Sequence, residues 1–270
     1  MSDVQIIFPV DVSTLRKGHA LMEEVGPYID VPKVGLEFLH SVGTPTAIAM
    51  VKEFGKLPFV DAKLNDIPST VKGAASAITR LGVAYFNVMA SGGRPMMEAA
   101  VWGADETAEA LDIERPKIIA VTVLTSLKLD HLVELGIAPS FILDMSLEHQ
   151  EKYVDGITED EKQSIITEIV MRWATAAVKA GVDCLLSSPL EIASMHDRWP
   201  DKELICPGIR MPDSPPDDQG RTATPGEAAK FGATAIVVGR PIRNPPEGKT
   251  RIQVVQEIRD DIAKALASKK

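Results

Sequence analysis

Leu57-Pro58-Phe59-Val60-Asp61-Ala62-Lys63-Leu64-Asn65-Asp66-Ile67-Pro68-Ser69-Thr70 reads as a short buried strand that ends in charge and then opens a helix. Pro58 to Ala62 supplies the β-type run. From Ser69 to Leu81, the residues Val71, Ala74, Ala75, Ile78 and Leu81 recur at the spacing of one helix face. That is one βα unit, and the same alternation continues outward in both directions. Strands are expected at Ile6 to Val10, Ile29 to Val34, Pro58 to Ala62, Tyr85 to Val88, Lys117 to Val123, Cys184 to Ser187, Glu203 to Cys206 and Ala235 to Val238. Eight such units predict an α/β fold, a closed (β/α)8 TIM barrel in one domain over residues 1–270. An open doubly wound sheet would normally carry a glycine fingerprint after its first strand, and Asp11-Val12-Ser13-Thr14 has none.

Two stretches break the rhythm. Residues 138–160, with Pro139, several acids and Gly156, read as an inserted segment, a loop or a short helix. Residues 210–226 hold Pro212, Pro215, Pro216, Gly220 and Pro225, too many prolines for a strand or helix. This is expected to be a long loop after strand seven, in the position where barrel loops often close over substrate.

Composition narrows the classes of function. Hydrophobic residues at 45% and charged residues at 25% suit a chain with a substantial core. The net charge of -9 argues against nucleic-acid or anionic-membrane partners, which need clustered Lys and Arg. No run of 18 apolar residues occurs, no basic leader precedes the first strand, and Cys184 and Cys206 lack metal or disulfide spacing. A reducing, cytoplasmic setting is expected. The five histidines are scattered, without the spacing of a metal site.

The chemistry gathers at one edge. Asp11, Lys33, Asp61 and Lys63 each fall at the C-terminal end of an expected strand, where barrel enzymes place their working groups. Strand side chains alternate with period two, so Asp61 and Lys63 should both face the barrel mouth, with Asp66 one short turn later. After Ala235-Ile236-Val237-Val238, Gly239 permits close backbone approach and Arg240 offers a fork of donors, in the position favoured by barrel phosphate sites.

These motifs resemble the orotidine 5′-monophosphate decarboxylase family. The resemblance rests on Asp61 to Thr70 and Val238-Gly239-Arg240, and on Lys33-Val34-Gly35-Leu36-Glu37, Val121-Thr122-Val123-Leu124-Thr125-Ser126, Pro207-Gly208-Ile209-Arg210, Asp218-Gln219 and Thr224-Pro225, all in family order. Asn65 and Met89 stand where many relatives have His.

The resemblance implies that Lys63 is a proton donor, flanked by Asp61 and by Asp66 of the partner subunit of a homodimer. Lys33 and Asp11 complete the charged array and touch ribose hydroxyls. Ile67 and Thr70 join the substrate site, Thr70 across the interface. Thr125 and Ser126 lie near the pyrimidine with Pro207 among the substrate-binding residues, and Arg210, Gln219, Gly239 and Arg240 line the phosphate end. The substrate is a small nucleotide, and neither metal nor organic cofactor is expected. A magnesium-dependent sugar-phosphate decarboxylase or aldolase-like synthase shares the DxKxxD barrel motif. Ile67-Pro68-Ser69-Thr70 and Gln219 favour the nucleotide enzyme. A catalytically silent nucleotide-binding barrel is the alternative from another class, and Lys63 with its flanking acids weighs against it.

Overall fold

The computed structural model describes residues 4–211 and 221–268. Its eight parallel strands are β1 (Gln5–Pro9), β2 (Val31–Gly35), β3 (Phe59–Leu64), β4 (Tyr85–Met89), β5 (Lys117–Val121), β6 (Cys184–Leu186), β7 (Glu203–Cys206) and β8 (Ala235–Val237). They pair in sequence order, and β8 pairs back with β1, so the sheet closes into a barrel. Closure removes both sheet edges and confines the active groups to the two ends of the strands.

The helices are α1 (Leu15–Val25), α2 (Leu36–Val42), α3 (Thr44–Lys52), α4 (Pro68–Arg80), α5 (Arg94–Leu111), α6 (Leu129–Glu134), α7 (Ser140–Leu143), α8 (Leu147–Gly156), α9 (Glu159–Lys179), α10 (Pro189–Arg198), α11 (Pro225–Phe231), α12 (Arg240–Arg243) and α13 (Arg251–Ala267). Pro68 begins α4 because its fixed φ suits the first helical turn, where no N–H is needed. Val71, Ala75 and Ile78 form the buried face of that helix. The outer side of α4 lies tight on α5. A Cβ at Gly103 would stand 2.5 Å from the Lys72 carbonyl oxygen, so only glycine permits this approach.

The inside of the barrel is layered by the period-two rule. Ile7, Val31, Phe59, Tyr85, Ile119, Cys184, Ile205 and Ala235, one from each strand, pack as a separate apolar cluster. Two residues further along β2, β3 and β4 stand Lys33, Asp61 and Asn87, all buried and all polar. The apolar layer is thus the floor of the polar one. Outward-facing residues such as Ile6, Val34, Val60, Phe86 and Ile118 join the larger core beneath the helices.

Of the two readings of 138–160, a loop or a short helix, the structure shows helix. Residues 140–143 and 147–156 form α7 and α8, and Glu159 begins α9. At its C-terminal end Glu159 and Asp160, with Glu161, form the first turn of α9, where carboxylates meet the positive end of the helix dipole. Thr158 and Glu161 form a capping box there. The reading of 210–226 needs correction at its C-terminal end. Pro225 and Gly226 belong to α11, which Thr224 caps, and Ile209 bridges Ala223. Residues 212–220, Gln219 among them, lie outside the described residues.

Candidate active site

β2 and β3 set the centre. Lys33 Nζ lies 2.8 Å from Asp61 Oδ2 and 3.5 Å from Asp11 Oδ1, and Lys63 Nζ lies 2.6 Å from Asp61 Oδ1. One buried carboxylate therefore sits between two ammonium groups. Burial disfavours charge on Asp61, yet Lys33 and Lys63 outweigh it and hold the carboxyl well below the usual carboxylate range. Burial likewise opposes charge on Lys33, and the carboxylates of Asp61 and Asp11 prevail, raising its pKa. Gly35 makes room for this cluster: a Cβ there would come within 2.7 Å of Asp11 Oδ1 and 2.9 Å of Lys33 Nζ.

Lys63 reaches the mouth by a different route from simple strand alternation. Val60 pairs with Phe86 and Leu64 with Val88, so Asp61, Ala62 and Lys63 together oppose Asn87 alone. This is a bulge, and Lys63 within it has φ of 49°. A left-handed backbone in a non-glycine residue costs roughly 1–3 kcal/mol and persists only where its surroundings hold it. Asn87 does so. Its Oδ1 accepts the Lys63 backbone N–H at 2.7 Å, and its Nδ2 donates to Asp61 Oδ1 at 2.6 Å.

Asp66 stands apart from this group. It is exposed in the turn before α4, its Oδ1 accepts the Ile67 N–H at 2.6 Å, and among the described residues no hydrogen bond or ion pair joins it to Lys63. Ile67, 63% exposed, and Thr70 share that outer position. Thr125 and Ser126 lie in the turn after β5, and Pro207 follows β7. Arg210 is half-buried, its backbone N–H donates to the Ala223 carbonyl, and its Nη1 donates to the Ile209 carbonyl at 2.7 Å.

Gly239 leads from β8 into α12, and Arg240 is the first residue of that helix. Among the described residues, none crowds a side chain at position 239. Its φ is −97°, and an added Cβ would make only ordinary contact with Pro9 at 3.5 Å. One turn on, Arg243 Nη1 donates to the Asp11 carbonyl at 2.8 Å and stands 3.9 Å from Asp11 Oδ2. Among the described residues, three cations, Lys33, Lys63 and Arg243, are linked in this cluster to two acids, Asp11 and Asp61.

The sequence reading missed Asn87 and Arg243. Asn87 was detectable as the polar residue two places after Tyr85 on the inward face of β4. Arg243 was detectable only as a second arginine one helical turn after Arg240.

Comparison with known proteins now decides the family. The family model described as orotidine 5′-phosphate decarboxylase / HUMPS family matches residues 5–253. The chain belongs to that family. It is 41% identical over 245 residues to the orotidine 5′-phosphate decarboxylase of Moorella thermoacetica, covering 90% of this chain and 87% of that protein. With the enzyme of the same name from Syntrophomonas wolfei it shares 34% identity over 252 residues, 92% of this chain and 95% of the other. Among solved structures, orotidine 5′-phosphate decarboxylase from Lactobacillus acidophilus aligns with a TM-score of 0.74 at 27% identity, over 96% of this chain and 99% of that one.

Proposed function

We propose that this family member is a carboxy-lyase that converts orotidine 5′-monophosphate to uridine 5′-monophosphate in de novo pyrimidine biosynthesis, with Lys63 protonating C6. The observation that carries the reading is the position of the Lys63 ammonium, 2.6 Å from a buried carboxylate at the C-terminal mouth of the barrel. Loss of carbon dioxide from C6 leaves a carbanion that the pyrimidine ring does not delocalise. An ammonium fixed beside C6 stabilises that charge as it develops and then supplies the proton. Asp61 keeps the ammonium oriented, and Lys33 balances the second oxygen of Asp61.

Asp11 and Lys33 face the ribose hydroxyls in this reading, Thr125, Ser126 and Pro207 face the base, and Arg210, Gln219, Gly239 and Arg240 take the phosphate. Among the described residues the space beside Gly239 is open, which supports an approach of phosphate to that backbone. Asp66 and Thr70 act across a homodimer interface, and Ile67 joins the substrate site. Their exposure, and the absence of an Asp66 contact to Lys63 within the described chain, fit that arrangement. A partner Asp66 set about 4 Å from the substrate carboxylate repels it by roughly 4 kcal/mol at an effective dielectric of 20. Enzymatic accelerations call for about 8 to 23 kcal/mol, so phosphate contacts must contribute to the transition state as well. The setting is cytoplasmic.

The test is spectroscopic. Purified protein mixed with orotidine 5′-monophosphate should change the pyrimidine absorbance as uridine 5′-monophosphate forms, at an undiminished rate in excess chelator. Loss of activity in chelator assigns the chain to the magnesium-dependent sugar-phosphate enzymes. Binding of uridine 5′-monophosphate without turnover assigns it to silent nucleotide-binding barrels.

A further inference from the structure

We infer that Asn87 is a positioning residue for catalysis: its carboxamide locks the left-handed backbone of Lys63 and the Asp61 carboxylate into one unit, and so aims the ammonium. The inference rests on the proposed role of Lys63 as proton donor. Three observations carry it. First, the β3–β4 ladder is interrupted between Val60 and Leu64, leaving three residues of β3 opposite the single residue Asn87. A bulge withdraws backbone groups from the ladder, and a buried N–H without a partner costs about 1–3 kcal/mol. The Asn87 side chain supplies the missing acceptor to Lys63.

Second, both ends of the amide are committed. Oδ1 accepts from Lys63 N–H and Nδ2 donates to Asp61 Oδ1, and the flipped amide would set an NH2 against an N–H and a carbonyl against a carboxylate. One neighbour needs an acceptor and the other a donor, which fixes the orientation of the amide. Third, Asn87 is fully buried, on the inward face of β4 directly above the apolar floor residue Tyr85. It therefore acts through Asp61 and Lys63 and not on the substrate itself. Its other neighbour, β5, presents the apolar residues Ile118, Ile119 and Ala120 in register around it. The charges facing it are those of Asp61 and Lys63 on β3, with Lys33 and Asp11 beyond them.

The experiment compares wild type with Asn87→Ala and the near-isosteric Asn87→Asp, reading kcat, KM, affinity for uridine 5′-monophosphate and thermal midpoint. With Asn87→Ala, kcat should fall about a hundredfold, the scale of a small misplacement of a catalytic group. KM and product affinity should stay within about threefold, because the phosphate contacts lie elsewhere. Asn87→Asp keeps the acceptor for Lys63 but can donate to Asp61 only when protonated. Its kcat should therefore recover as pH is lowered, a limb that wild type lacks. This second variant decides the matter even if the alanine protein does not fold. Unchanged kcat in both variants overturns the inference, as does an equal loss of kcat and product affinity, which marks a merely structural residue. A wild-type protein that turns nothing over overturns the decarboxylase reading instead, and is seen before any variant is made.

Discussion

Lys33 and Asp61 meet across the β2–β3 pair with Nζ 2.8 Å from Oδ2, both side chains almost wholly withdrawn from solvent. Breaking such a buried pair by removing one partner costs more than the pair contributes, because the surviving charge stays desolvated. Asp61→Asn leaves Lys33 and Lys63 without their shared anion. It should lower stability at neutral pH by about 3 kcal/mol.

The same pair sets a pH dependence. Asp61 titrates lower in the folded chain than in the unfolded chain, where an aspartate has a pKa of about 3.9. Its contribution is therefore fully present above that value and fades as pH drops from there toward the depressed folded pKa. Denaturant titrations of wild type and Asp61→Asn from pH 7 downward should show a stability difference that narrows below about pH 4. A difference that stays constant through that range would mean the Asp61 carboxyl is not held ionised by its lysines.

Arg240 provides the contrast between remote binding and chemistry. Arg240→Ala should weaken binding of uridine 5′-monophosphate and slow turnover of the phosphorylated substrate, since phosphate contacts help stabilise the transition state. Uridine, which lacks the phosphate, should bind the variant and wild type almost equally. Equal losses for nucleotide and nucleoside would place Arg240 away from the phosphate.

Asp66 is exposed and turned toward its own Ile67 N–H, so its proposed role depends on a second subunit. Inactive Lys63→Ala and Asp66→Asn proteins, mixed equally and allowed to exchange subunits, should regain roughly a quarter of wild-type activity under two-fold symmetry. Half the dimers are then heterodimers, and each of these holds one intact site. Verified exchange with no recovered activity would show that Asp66 serves its own chain.

The strands were legible to within a few residues because each is a short, mostly apolar run, and β7 matches residue for residue. Lys33 and Asp61 followed from strand ends and the period of two. Lys63 was located correctly but for an incomplete reason: its direction comes from a bulge and a left-handed backbone, which only the β3–β4 pairing reveals. Asn87 escaped because an uncharged amide on a strand looks inert until its two partners are known. At 138–160 local composition competed with position. Acids that look like loop in isolation are helix-stabilising once they fall in a first turn.

Lys63 is the residue on which the functional account stands, and its removal separates chemistry from binding. Single-turnover decarboxylation of orotidine 5′-monophosphate by Lys63→Ala should be abolished within the detection limit, while calorimetric affinity for uridine 5′-monophosphate stays close to that of wild type. Near-normal turnover by the variant would contradict the account, because the proton and the stabilising charge would then have to come from another group.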